Sequence, residues 1–475
     1  MSPFRYLEIA QSFAAFIADG SLRAGDSLPS IRVAAAQHCV SKGTVVQAYS
    51  NLEARGLIEA RPQSGFYVRA RNLASYALPE VEVLRPSVVR NNRREQLRET
   101  LGDLVGSRVT SLGSSFPDPS LFPLINLNRS LAASTRGSSY AENTSDLQLG
   151  LPDLRRAISQ RYMDLGYAVP MDEIVITCGG MEAISLSLQA VTKPGDLVLV
   201  DSPMFFSGLQ LMEQFGLGAL EMPTELGEGI DLAVLDLALH RHKVAACLLM
   251  TNCQNPLGFS MAEEKKRALV QLLARHKVPL VENDVYSELQ FDFRHNRAAK
   301  AFDRDGLVLH CGSFTKSLAP GFKIGWSAAG NFRDAVVHRK FATTLGTSVP
   351  PQAAIAHFLR HYSYERHLRR LRQTLHQRVN QMSAAIDRYF PPSTRYTRPQ
   401  GGYVLWVQLP VSTDSLALFE LAASRDIGIA PGHIFSARSG YRNFIRLNCS
   451  HEWSPKLDET IRWLGETVSI AALRR

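Results

Sequence analysis

Between residues 173 and 311, short apolar runs alternate with stretches of helical periodicity, and this narrows the fold more than any other feature of the chain. The runs are Glu173–Thr177, Leu197–Asp201, Ala245–Thr251, Val278–Glu282 and Leu307–Cys311. Apolar strands joined through helices predict an α/β unit whose mostly parallel sheet is covered on both faces. In such sheets ligands bind beyond the carboxyl ends of the strands. After about Pro350 an arginine-rich helical stretch runs to Ile386. A smaller C-terminal α/β unit, with strands near Gly402–Gln408 and Phe444–Leu447, closes the chain.

The 475 residues exceed one ordinary core, so two or three folding units are expected. Residues 1–70 read as three helices and a hairpin. The first helix, about 4–17, puts Ile9, Phe13, Phe16 and Ile17 on one face; the second is Ile31–Gln37; the third runs from Lys42 to Arg55 behind Ser41 as N-cap. Leu57–Ala60 and Gly65–Val68 pair around a tip at Arg61–Ser64, and that order makes a winged helix-turn-helix. Residues 71–107, with Pro79, Pro86 and the run Arg90 to Arg94, read as an exposed linker with a helix near Glu95–Leu104. The body spans 108–475.

Hydrophobic residues make up 45% and charged residues 20%, which excludes a disordered chain. No apolar stretch is long enough to span a bilayer, and the N-terminus has no signal-peptide pattern, so a cytoplasmic protein with no membrane partner is expected. The six cysteines are scattered without zinc-like pairing, as reduced thiols would be, and no metal site is expected. His240 and His242 lack a third ligand of suitable spacing and read as a solvated helix end. A net charge of +9 permits a nucleic-acid partner.

A helix reads the major groove only when its exposed face offers short or basic side chains. Lys42, Thr44, Gln47 and Tyr49 lie near the start or outer face of the third helix, over Val45, Val46, Ala48 and Leu52. Arg32, at the start of the second helix, suits a phosphate. Gly65 lets the wing turn tightly, so that Arg61 or Gln63 reaches the minor groove. The stretches Ala24–Arg32, Ser41–Tyr49 and Leu52–Ile58 resemble the GntR family of regulators, which implies binding to a double-stranded DNA operator. Lys42 and Gly43 stand where that family commonly has arginine and asparagine or threonine.

Five signals fall at successive strand ends. A glycine pair at Gly179–Gly180, followed by Met181, can hold a phosphate on free amides. Phe205 offers a ring to a planar cofactor. Asn255, before Pro256, presents an amide from a turn. Asp284 and Tyr286 set a carboxylate and a phenol two residues apart, and a buried carboxylate there needs a cation such as a protonated pyridine. The stretch Gly312–Trp326 offers Ser313 and Thr315, a lysine at 316 that must lose its proton to form a Schiff base, and Lys323. Each has a plainer reading alone: a tight turn, a core aromatic, a surface lysine.

Together these residues resemble the fold-type I aminotransferases, nearest the 2-aminoadipate and kynurenine aminotransferase branch. The resemblance implies a pyridoxal 5'-phosphate cofactor in a Schiff base with Lys316, and Asp284 on the pyridine nitrogen. Asn255 and Tyr286 would bond the ring hydroxyl and Phe205 would stack on the ring. Gly180, Met181, Ser313, Thr315 and Lys323 would surround the phosphate, Lys323 replacing the family's usual arginine. Arg446 would take a ligand carboxylate, and Tyr140 matches a tyrosine that crosses to a neighbouring subunit. A GntR-like head on such a body, opening with Ser115–Pro123, is similar to the MocR regulators. It implies a PLP-dependent regulator that senses an amine or amino acid and forms a head-to-tail homodimer. The alternative is an active aminotransferase that carries a DNA-binding domain.

Overall fold

The computed structural model describes residues 5–473 apart from 19–20, 24, 55–56, 62–63, 69–78, 80–86, 90–109, 137–147, 292–295 and 439. The N-terminal unit contains α1 (Arg5–Ala18), α2 (Ile31–Gln37), α3 (Lys42–Ala54), β1 (Ile58–Arg61) and β2 (Gly65–Val68). The two strands pair antiparallel with Ile58 opposite Val68. Ser30 Oγ accepts from Val33 N at 3.3 Å and Ser41 Oγ from Thr44 N at 3.1 Å, so both helices of the reader begin on a hydroxyl cap. Gly65 has φ +105°, a turn geometry that a side chain would strain.

The unit's core differs from expectation at three side chains. Phe16 and Val46 are 45% and 44% exposed, and Tyr49 is fully buried. Val45, Ala48, Tyr49 and Leu52 stand at i, i+3, i+4 and i+7, the spacing of one helix face, which leaves Val46 outside it. In α1 the buried stripe is Ile9, Ala10, Phe13 and Ile17, with Phe16 at its margin.

The body is built on a nine-stranded sheet. Across it run Ser87–Val89, Gly218–Glu225, Leu197–Ser202, Val244–Leu249, Leu280–Asn283, Val308–Ser313, Gly325–Ala328 and Ile174–Thr177, with Gly229–Ile230 paired to the second of these. The five from Gly218–Glu225 to Val308–Ser313 are parallel, and Gly325–Ala328 is inserted antiparallel next to them. Ser87–Val89 corrects the linker expectation: these residues pair antiparallel with Ala219–Glu221 and extend the sheet edge. The helix expected at 95–104 lies outside the described residues.

Alternation along the strands divides two cores. Leu199, Leu249 and Leu280 pack on one face, while Val198, Val200, Leu248 and Val281 pack on the other against Ala183, Ile184 and Leu188 of the helix Gly179–Val191. The smaller unit holds a four-stranded antiparallel sheet, Arg395–Tyr396, Val404–Gln408, Phe444–Asn448 and Ala430–Pro431. Thr110–Ser111 at the start of the body pairs with Ile427–Gly428 there. The long amphipathic helix Tyr364–Tyr389 buries Leu368, Leu371, Leu375, Val379 and Met382. No described helix is long and apolar enough to cross a membrane.

Candidate functional site

The carboxyl ends of the parallel strands open on a cavity of about 240 Å3. Gly180, Met181, Phe205, Asn255, Tyr286, Ser313, Thr315, Lys316 and Lys323, singled out in the sequence, all line it. Gly179 has φ +80°, and a Cβ on Gly180 would stand 2.7 Å from Val285 Cγ1, so this helix start is left as bare backbone. The hydroxyls of Ser313 and Thr315 lie 2.8 Å apart, and Glu182 Oε2 accepts from Cys178 N at 2.5 Å. Free amides at a helix start, two hydroxyls and the Lys323 ammonium form a set suited to a phosphate dianion.

Lys316 Nζ donates to Ser115 O at 2.6 Å and lies 4.6 Å from the Phe116 ring centre. Burial, with Arg446 and Lys323 as neighbouring cations, pulls its ammonium down to about 7. Near neutral pH much of it is therefore free amine, the form that attacks a carbonyl. Tyr286 is buried with its ring 5.5 Å from Tyr403, and burial raises its phenol. Arg446 is fully buried behind the cavity. It donates through Nη1 to Asn255 Oδ1 at 3.2 Å and through Nη2 to Gly113 O, while Nε has no partner. Burial lowers its guanidinium to about 10, and no described carboxylate pairs with it. A buried cation without a counter-ion is costly unless an anion joins it.

Asp284 does not line this cavity. Strand residues alternate faces, and Asn283 shares the face of Val281, towards the helix Gly179–Val191 and the cavity. Asp284 points to the opposite side, beside a small second cavity. There its Oδ1 accepts from Asn252 Nδ2 at 3.1 Å and its Oδ2 meets His310 Nε2 at 2.9 Å. His310 Nδ1 in turn meets Tyr162 Oη at 2.7 Å, to which Trp326 Nε1 donates at 2.8 Å. Sequence reasoning passed over Asn283, although the period of two was there to find it. It also missed Ser115 and Tyr403, whose hydroxyl donates to Ser115 O at 2.7 Å, because their closeness depends on the fold. Tyr140 lies outside the described residues.

In the reader, Arg32, Lys42 and Gln47 are exposed, and Thr44 is half-buried with its hydroxyl 2.9 Å from Ser41 Oγ. Tyr49 leaves the DNA-facing set. Its hydroxyl donates to Pro29 O at 2.7 Å and its ring packs edge-on against Phe13 and Phe66, tying α3 to α1 and to the wing. Val46 takes its place on the outer face. Arg61 folds back onto Glu59 at 2.9 Å and the Tyr67 ring at 4.4 Å; Gln63 lies outside the described residues. His240 meets Asp236 and His276, a third group that sequence spacing does not reveal. His276 Nε2 and Asp236 Oδ1 are 2.6 Å apart and His240 Nδ1 faces Asp236 O at 2.8 Å, so these atoms already satisfy one another.

Residues 5–68 match the bacterial regulatory proteins of the gntR family, and residues 128–462 match aminotransferase class I and II. The HTH-type transcriptional regulator YdcR of Escherichia coli is 42% identical over 98% of this chain and 99% of its own length. The regulator NorG of Staphylococcus aureus is 27% identical over 90% of this chain and 95% of its own. The kynurenine aminotransferase of Pyrococcus horikoshii superposes with a TM-score of 0.72 at 28% identity, over 81% of this chain and 96% of its own. LysN, the alpha-aminoadipate aminotransferase of Thermus thermophilus, gives 0.72 at 26% over 80% and 95%.

Proposed function

The chain belongs to the aminotransferase class I and II family and carries a gntR-family regulatory domain at its head; on that footing we propose a transcriptional regulator whose body senses an amino acid. The head binds DNA and the body takes pyridoxal phosphate. The residues fit that group: a glycine cradle that a Cβ would fill, the hydroxyls of Ser313 and Thr315 and the cation of Lys323 suit its phosphate. Phe205 would stack on the ring, with Asn255 and Tyr286 at the ring hydroxyl. The cofactor supplies an aldehyde that condenses with amines.

The chain's own side chains then do the rest. Lys316 holds or releases a proton near neutral pH, Arg446 binds the ligand carboxylate, and Phe205 and Phe206 help to wall the cavity against water. Gly113 O accepts from Arg446 Nη2, so a ligand carboxylate that takes this donor displaces Gly113 and with it residues 113–116. That segment is the entry to the body from the side of the reader, which makes it the route by which ligand binding reaches DNA. An effector acts this way only if it binds the two arrangements with different affinity.

The reader is assigned to 1–70, the body to 108–475 and the joining segment to 71–107, with 87–89 docked on the body's sheet. Arg32, Lys42, Thr44, Gln47 and the wing turn at Gly65 are the DNA-facing positions, and the kinship with regulators of this build supports a head-to-tail homodimer. The observation that carries the reading is the near-neutral buried amine of Lys316 beside a buried guanidinium with no described carboxylate partner, in a chain headed by a DNA reader. Fluorescence anisotropy of the loaded protein on promoter DNA next to its own gene, titrated with amino acids, tests it. Amino acids that shift the cofactor's visible band should change DNA affinity. If every such ligand leaves DNA affinity unchanged, sensing is rejected.

A further inference from the structure

We infer that Asn283 faces the ring nitrogen of the bound cofactor, and that this neutral amide makes the body a reader of amines with little capacity to transaminate them. The inference rests on the pyridoxal phosphate reading above and deepens it. Apart from its methyl group, the ring carries a phosphate arm, an aldehyde, a hydroxyl and a nitrogen. The first three have their partners at Gly180 to Lys323, at Lys316 and at Asn255 with Tyr286. Asn283 lines the same cavity from the strand face of Val281, the face that packs on the helix Gly179–Val191. Its Oδ1 is the one buried atom among the described lining side chains that has no hydrogen-bond partner. An amide buried with an unmade bond is costly unless a ligand completes it.

No described residue lining the cavity is Asp or Glu. Asp284, the nearest carboxylate in sequence, has both oxygens engaged on the far side of the strand by Asn252 and His310. Lys323 and Arg446, the cations that bear on Lys316, set a positive local field that disfavours a further cation on the ring. A pyridine nitrogen there stays unprotonated and accepts from the Asn283 NH2 after a half-turn of the amide, because the partnerless Oδ1 can itself only accept.

The chemical consequence follows from where electrons must go. Exchanging the Lys316 amine for a ligand amine forms one C=N bond, breaks another and releases Lys316 as a free amine, with no redox change. Transamination further requires loss of the ligand's Cα proton, and the electron pair left behind must be drawn into the ring. A protonated nitrogen accepts that pair and an unprotonated one does so poorly. An amino acid therefore binds, frees Lys316 and leaves unchanged, as suits a signal rather than a substrate.

The test uses the full-length protein loaded with pyridoxal phosphate labelled with 15N in the ring. The wild-type nitrogen should resonate as an unprotonated pyridine, and Asn283→Asp should move it to the protonated position. Asp284→Asn should leave the signal in place. In single turnovers with an L-amino acid, Asn283→Asp should convert the cofactor to pyridoxamine phosphate about 100-fold faster or more than wild type. A protonated nitrogen in the wild type, or a signal moved by Asp284→Asn and not by Asn283→Asp, overturns the inference while leaving the sensor reading intact. A chain that takes up no pyridoxal phosphate at all overturns both.

Discussion

Lys316 shows what burial does to one side chain. Its amine titrates at about 7 in the fold and near 10.5 in an unfolded chain. Between those values the unfolded chain holds the extra proton, so the buried amine lowers stability most below pH 7 and the deficit shrinks as pH rises towards 10.5. Lys316→Met should therefore stabilise the cofactor-free protein by several kcal/mol at pH 6 and by much less at pH 10, as read from urea melts. With cofactor added, the same variant should lose the visible band of the covalent adduct. Tyr49 is a second case. Tyr49→Phe removes its bond to Pro29 O and should cost the reader about 1 kcal/mol in a thermal melt while leaving DNA sequence preference unchanged. A changed preference at full stability would return Tyr49 to the DNA face.

Among the elements, the strand Gly325–Ala328 is the one whose fit governs the phosphate end. A Cβ on Gly325 would stand 2.5 Å from the Gly179 carbonyl carbon and 2.7 Å from Gly180 N. Backbone cannot swing aside as a side chain can, so Gly325→Ala should cost about 2 kcal/mol and weaken cofactor retention, measured by dialysis against buffer. Unchanged retention would mean that the turn is not the phosphate seat. The parallel sheet was legible from its apolar runs because strands buried on both faces carry few polar residues. The edge strand Ser87–Val89 was not legible, since its three residues offer no period and its partner lies some 130 positions along the chain.

For the whole molecule, the proposed coupling of ligand to DNA runs through residues 113–116. Arg446 Nη2 donates to Gly113 O, and Asn448 Nδ2 donates to Phe116 O at 2.8 Å, so the segment is clamped from the smaller unit's sheet. Arg446→Gln should speed hydrogen exchange across 113–118 in the ligand-free protein and abolish the response of DNA affinity to amino acids. Exchange as slow as in wild type would separate Arg446 from the coupling. At the other end, Lys42→Ala should weaken binding evenly across DNA sequences and reduce the salt slope by about 1, the mark of a phosphate contact. A selective loss at one base would instead make it a reader of sequence.

The sequence by itself determined the two-part plan, the winged reader, the parallel sheet and most of the residues around the cavity. Those follow from local periodicity and from motifs pinned to strand ends, which neighbours in the chain encode. Only the tertiary structure decided which face each motif residue takes. It turned Asn283 into the cavity and Asp284 away, sank Tyr49 into the core, and set Gly113 and Ser115 against side chains more than 200 residues distant. Orientation of that kind is fixed by packing between distant segments, which no local pattern records.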